Sequence, residues 1–202
     1  MGKAITISRN YGCGGIELAR SLAEDLGYEY IDKTLVVELA RKMHTSEGEI
    51  SSYEDGTSIP LFRFISTFMT SAKVKSILSD DFGYVDEDSY RLALEGLMDD
   101  LADRGDVVIV GRGGQCILHD RPDVVHLRLI APMDYKKKFL ASKLGVPKEE
   151  AGKMIDHKEQ ERRRYIKVMF DRDNEEASLY HIIMNLALVD QDTAKEIIKK
   201  LL

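Results

Sequence analysis

The sequence predicts an α/β fold, because short and wholly apolar strands alternate with amphipathic helices along most of the chain. A second observation is a glycine-rich loop, Gly12-Cys13-Gly14-Gly15, lying between the first strand and the first helix. Strands without polar alternation signal a parallel sheet covered on both faces. Length agrees with this. At 202 residues the chain suits one domain and can bury roughly 70% of its unfolded surface. Hydrophobic residues make up 44% and charged residues 32%, which excludes wholesale disorder and a disulfide scaffold.

Taken in order, Ala4-Ile5-Thr6-Ile7 is a β-favouring run. Ile16, Ala19, Leu22, Ala23 and Leu26 then recur at helical spacing until Gly27 stops them. Tyr28 to Ile31 reads as a second strand, and Leu35, Val36, Leu39, Ala40 and Met43 as a second helix. Residues 44–86 break the rhythm with a Ser/Glu/Gly-rich loop, a Phe- and Met-bearing segment and an acidic stretch, so an inserted helical region is expected there. The pattern resumes with a helix carrying Tyr90, Leu94, Leu97 and Leu101, stopped at Gly105, and strands at Val107–Val110 and Val124–Ile130. A charged helical stretch runs from Lys148 to Arg172. A fifth strand is expected at Tyr180–Met184, and a closing helix carries Ala194, Ile197, Ile198 and Leu201.

Charge and composition narrow the function. The 29 Lys and Arg against 35 Asp and Glu give a net charge of −6, which implies no general nucleic-acid surface. Apolar runs reach four residues, as at Leu186–Val189, far short of the ~20 that cross a membrane. Two cysteines, Cys13 and Cys116, point to a reducing, cytoplasmic setting and supply no zinc-ligand spacing.

In doubly wound sheets ligands bind at the carboxyl ends of the strands. That rule selects Ser8-Arg9-Asn10-Tyr11-Gly12-Cys13-Gly14-Gly15-Ile16, Asp32 after the second strand, and Gly111-Arg112-Gly113-Gly114 after the third. Glycines before a helix let backbone N–H groups converge on one anion, with the helix dipole assisting. They also serve plain close packing, and spacing alone leaves both readings open. Aligned with a full phosphate loop, G-x-x-x-x-G-K-[ST], Gly15 stands at the lysine and Ile16 at the hydroxyl.

The landmarks run in order along the chain: Ile-Ser-Arg-x-Tyr-Gly-x-Gly-Gly at 7–15, Leu-Ala-x-x-Leu-Gly at 22–27, Tyr-Ile-Asp-Lys at 30–33 and Val-Ile-Val-Gly-Arg-Gly at 108–113. His-Leu-Arg-Leu-Ile-Ala-Pro at 126–132, Glu161-Arg162 and Leu-Tyr-x-x-x-x-Asn at 179–185 follow. The whole pattern resembles the cytidylate-kinase-like family of P-loop proteins. The resemblance implies a five-stranded parallel core, an inserted acceptor-binding region at 44–86 and a helical lid at 148–175. It implies an ATP-dependent phosphotransferase with a nucleoside monophosphate or a similar small molecule as acceptor, the loop from Ser8 to Ile16 holding the donor phosphates, and magnesium without a clear protein ligand.

Carried over by position, the resemblance makes Arg112, Arg162 and Arg9 the catalytic candidates. Arg112 would grip the acceptor phosphate, Arg162 would be the lid arginine, and Arg9 would restore part of the charge of the absent lysine. Asp32 would face the acceptor, orienting a hydroxyl or a magnesium-bound water; it also suits a helix N-cap. Arg63, in the inserted region, is a further acceptor-side candidate. Gly113 departs from the family's Gly-Arg-Asp, which leaves cytosine preference unsupported. Phe62, Phe64, Phe68 and Met69 read as core or a homodimer contact rather than a base platform. Cys13 is either an activated thiol or an inert small residue. The absent lysine and hydroxyl keep a second function in view, a nucleotide-binding sensor without catalysis.

Overall fold

The computed structural model describes residues 3–32 and 87–202. The expected helix at 35–43, the inserted region 44–86 with Arg63, and the Phe62–Met69 segment lie outside the described residues. Within them, strands β1 (Ala4–Arg9), β2 (Glu29–Ile31), β3 (Val107–Val110), β4 (Val124–Ile130) and β5 (Ile182–Asn185) form one five-stranded sheet. Its order is β2-β3-β1-β4-β5 and every pairing is parallel. The predicted α/β class holds. The strand expected at Tyr180–Met184 begins two residues later, because Ala177–Leu179 is a 3-10 turn that delivers the chain to the edge.

Period-two geometry sorts the apolar strands onto two cores. Val107 and Ile109 join Ala4, Ile31 and Val124 on one face. Helix α2 (Glu87–Arg104) covers that face with Leu94, Leu97, Met98 and Leu101. Val108, Val110, Ile5, Ile7, Leu127 and Leu129 line the other face, under Leu18 and Leu22 of α1 (Gly15–Leu26). Gly27, at φ 68°, ends α1 as the sequence predicts: its N–H and that of Tyr28 return to Ala23 O, a glycine C-cap.

A short helix, α3 (Gly114–Ile117), follows the second glycine loop. Beyond β4 the chain forms an antiparallel-style hairpin of helices α4 (Met133–Leu144) and α5 (Lys148–Phe170), turned by Gly145 and Pro147. Leu140, Ala151 and Ile155 join them, with Tyr11 of the first glycine loop packed against the cluster. Helix α6 (Gln191–Lys199) closes the chain, N-capped by Asp190, which accepts the Thr193 N–H at 3.0 Å. No helix among the described residues is long and apolar enough to cross a membrane.

One polar group lies deep in this core. His126 on β4 is 1% exposed, and its Nδ1 meets Thr6 Oγ1 at 2.6 Å while Nε2 meets Leu118 O at 3.1 Å. A carbonyl only accepts, so Nε2 carries the proton and Nδ1 accepts the threonine hydroxyl. Burial holds the imidazole neutral, pushing its pKa from 6.5 down to about 4, with His181 and His119 adding repulsion.

Native His126 therefore binds fewer protons than the unfolded chain between those values. Its contribution is fully present above pH 6.5 and is lost as pH falls toward 4, by up to about 3 kcal/mol. Denaturant unfolding at pH 7 and pH 4.5 should show this loss, and His126→Gln should flatten the pH slope by close to one proton. An identical slope in the variant would locate the acid sensitivity elsewhere.

Candidate functional site

Strand β1 is central, so the loop that leaves its carboxyl end opens in the middle of the sheet. Backbone geometry there is specialised. Gly12 and Gly14 take φ 81° and 82°, a left-handed conformation that favours glycine. Gly14 is the N-cap of α1 and offers no side chain to the helix start, which leaves the first-turn N–H groups without a capping side chain. Gly15 has a different reason: a Cβ there would stand 3.0 Å from Arg9 Cβ and 3.1 Å from Cys13 Sγ. Close packing thus accounts for Gly15, while Gly12 and Gly14 answer to the left-handed turn.

The second loop is more unusual. Gly111, Arg112 and Gly113 are consecutive left-handed residues at φ 85°, 55° and 75°. Arg112 has a Cβ and still adopts this conformation, at a cost of about 1–2 kcal/mol. Its neighbours have steric reasons to be glycine. A Cβ on Gly111 would lie 2.6 Å from Arg9 Nη1, and one on Gly113 would lie 2.1 Å from Cε2 of Phe170. The Phe170 ring, set edge-on to Tyr165, fills the space that the aspartate of a Gly-Arg-Asp element would need.

Between these loops and the α4–α5 hairpin lies a cavity of about 580 Å³, lined by residues 8–17, Arg112, Gln115, Phe139, Arg162, Tyr165 and Asn174 among others. All the loop candidates from Ser8 to Ile16, together with Arg112 and Arg162, are brought together on it. Asp32 ends β2 at the sheet edge beside β3, paired with Arg20 at 3.6 Å.

Charge in the cavity runs against the charge of the chain. Among the described residues five cations line it (Arg9, Arg112, Lys143, Lys158 and Arg162) against two carboxylates, Glu17 and Glu161. Lys143 pairs with Glu17, and Lys158 with Glu161 at 2.6 Å. Three guanidiniums remain. Arg162 meets Glu159 at 3.3 Å and donates to the Arg9 carbonyl. Neither Arg9 Nε nor Arg112 Nε has a hydrogen-bond partner among the described residues. Burial, reinforced by the charge of Arg162, brings the Arg9 pKa down from 12.5 to about 10, so it stays cationic. Burial raises the Cys13 thiol, and its Sγ lies 3.6 Å from Leu129 O, which fits the inert reading rather than an activated thiolate.

Sequence reasoning missed several residues here. Glu159, 7% exposed, accepts the Tyr11 N–H and lies 3.3 Å from Asn10 Nδ2. Its position three residues before Arg162 on one helix was an available signal for an ion pair. Asn174, 3% exposed, accepts at Oδ1 from Ser8 Oγ (3.1 Å) and Gln115 Nε2 (3.4 Å), and at its carbonyl from Arg128 and the Tyr180 hydroxyl (2.8 Å). It ties the ends of β1, α3 and β4 to the segment after α5. An asparagine in a loop carries no periodicity that would announce this.

A model of the cytidylate kinase-like family matches residues 4–188. The chain belongs to the cytidylate kinase-like family. A cytidylate kinase from Methanopyrus kandleri is 24% identical over 205 residues, spanning 96% of this chain and 90% of that protein. The crystal structure of an uncharacterised protein from Eubacterium ventriosum superposes with a TM-score of 0.71 at 22% identity, covering 100% of this chain and 98% of that one. A shikimate kinase from Bacteroides thetaiotaomicron is a weaker likeness, with a TM-score of 0.49 at 16% identity and coverage of 98% and 97%. Family and sheet together make this a kinase-like α/β protein.

The steric reason for Gly113 can be measured. Gly113→Asp should cost about 2–4 kcal/mol, from a left-handed backbone and an overfilled contact with Phe170. Phe170→Ala should remove much of that penalty, so a double-mutant cycle by urea denaturation should show strong coupling. Additive costs would mean that the ring does not exclude a side chain at 113.

Proposed function

We propose that this protein is an ATP-dependent phosphotransferase that phosphorylates a nucleoside monophosphate or a similar small acceptor. The observation that carries the reading is the set of three guanidiniums facing one cavity at the carboxyl ends of the strands, in a chain of net charge −6. Such a cavity focuses positive potential on an anionic ligand. Phosphoryl transfer asks the protein mainly for positioning and charge neutralisation, little for covalent chemistry. The name of the Methanopyrus kandleri relative supports a nucleotide acceptor.

In this reading the backbone N–H groups of the Ser8–Ile16 loop bind the donor phosphates, and the α1 dipole reinforces them. Arg112 holds the acceptor phosphate with its planar fork. Arg162 stands against the transferring group, where it neutralises charge that builds up in the transition state. Arg9 supplies a fixed positive field from beneath the loop, in place of the lysine that Gly15 lacks. Asp32 and Arg63 belong to the acceptor side. The described residues do not fit a protein-held magnesium site: Ile16 has no donor, Asp32 is paired with Arg20, and no three acidic, histidine or cysteine side chains cluster. Magnesium commonly travels on substrate phosphates and retains its waters.

A second reading is a nucleotide-binding sensor without catalysis. Gly15 and Ile16, standing where a lysine and a hydroxyl would serve the phosphates, favour it.

A ligand at 100 times its Kd adds about 2.7 kcal/mol, so ATP should raise the melting midpoint by roughly 5–11 °C at this chain length. Gly14→Val should abolish that shift, because a branched side chain strains the left-handed turn and obstructs approach of the phosphate. No shift with any nucleoside triphosphate would remove both readings.

A phosphotransfer assay on CMP, dCMP, UMP, AMP and GMP separates them. The kinase reading expects turnover with at least one. It also expects Arg162→Ala to lower kcat tenfold or more, and Arg112→Ala to weaken acceptor binding by about 1.5–3 kcal/mol. ATP binding without any turnover leaves the sensor.

A further inference from the structure

A backbone N–H at the mouth of a glycine loop is an anion donor, and in this structure one such donor already has an anion. Glu159, on α5, reaches the loop with its carboxylate: Oε1 accepts the Tyr11 N–H, and Oε2 lies 3.3 Å from the Asn10 side-chain amide. Asn10 is held for this task, because its Oδ1 accepts the Ala131 N–H at 3.4 Å at the end of β4. Arg162, one turn along α5, meets the same carboxylate at 3.3 Å and donates to the Arg9 carbonyl. The carboxylate is therefore buried and satisfied by a backbone donor, an amide and a guanidinium, the three kinds of group that bind a phosphate oxygen.

We infer that Glu159 is a built-in occupant of the loop's anion site, holding the Tyr11 N–H and Arg162 until a phosphorylated ligand displaces it. The inference rests on the reading of the Ser8–Ile16 loop as the phosphate site. Displacement has a geometric requirement. At 7% exposure the Glu159 side chain cannot swing into water alone, so α5 must move away from the loop. The Tyr11 ring, packed on the Leu140–Ala151–Ile155 cluster, is the hinge contact that such a movement would break or slide. Departure of Glu159 also frees Arg162 from its carboxylate partner at the moment an incoming phosphate needs a cation. Apparent affinity is thereby reduced by the fraction of molecules in which α5 is docked.

The sign of the effect distinguishes this role from ordinary support. Glu159→Gln keeps the shape and removes the charge, so it weakens both the Tyr11 contact and the hold on Arg162. We expect ATP and inorganic tripolyphosphate to bind Glu159→Gln about five- to tenfold more tightly than wild type, since a charge-assisted bond is roughly twice as strong as a neutral one. Hydrogen exchange of the Tyr11 amide in the ligand-free protein should quicken at least tenfold in the variant. Should Glu159→Gln fail to fold, Glu159→Asp, which draws the carboxylate back by one methylene, is measured by the same two readouts.

Binding of either probe to wild type with equal or weaker binding to the variant overturns this inference alone, and assigns Glu159 to bracing the closed, ligand-bound state. Unchanged protection of the Tyr11 amide overturns it as well. Binding of neither probe to either protein overturns the phosphate reading and this inference together.

Discussion

A half-buried guanidinium at the end of the central strand sets the terms for the two loops around it. Arg9 leaves β1 with its Nε shielded from solvent. Burying a charge is costly unless other charges and hydrogen bonds offset it. Space for the group exists because Gly111 has no side chain to meet Nη1, and because Gly15 lets α1 start against Arg9 Cβ. The backbone carbonyl of Arg9 is answered by Arg162 from α5. Asp32 and Tyr30 favour the charge while Arg162 opposes it. Two glycine loops and the far helix are thus organised around one side chain, and the whole assembly carries an excess of positive charge that an anion would relieve.

That excess is local. Elsewhere the surface carries many compensated pairs, such as Arg121 with Asp103 and Asp123 at 2.6 Å each, or Lys195 with Asp25 at 3.0 Å. Pairs of this exposed kind contribute little to stability. Around the cavity the two lysines are likewise matched to Glu17 and Glu161 and Arg162 to Glu159, whereas Arg9 and Arg112 each keep a buried Nε without a partner among the described residues. Arginine suits an anion site because its fork binds two oxygens at once and its charge survives burial. Asn174 keeps the arrangement in register, since it joins the strand ends to the segment into which α5 runs.

Much of the scaffold was legible because burial on both faces leaves a plain signature. Val107–Val110 is found where a four-residue apolar run places it, and Val124–Ile130 where apolar residues flank His126 and Arg128. Gly27 and Gly105 end their helices as expected. Helix α4 went unseen because Met133–Leu144 is crowded with lysines; Lys136 lies buried nonetheless. The loop candidates and Arg112 were legible from their place at the strand ends, whereas Arg162, within α5, was legible only through the family resemblance. Glu159 was not, because a carboxylate in a run of charges reads as a solvated face until the helix is docked. Phe170 was invisible for a similar reason: its ring acts on Gly113 across fifty-seven positions of sequence, and no local pattern records such a contact.

The Phe170–Gly113 contact also constrains the order in which the sequence can change. With the ring in place, a side chain at position 113 must push Phe170 aside as well as strain the backbone, so the path to an acidic residue there is costly while both residues stand. Easing the path requires residue 170 to become smaller first, a change that by itself only leaves a hole beside Tyr165. The first step is penalised and the second is costly without it, which makes the pair a ratchet.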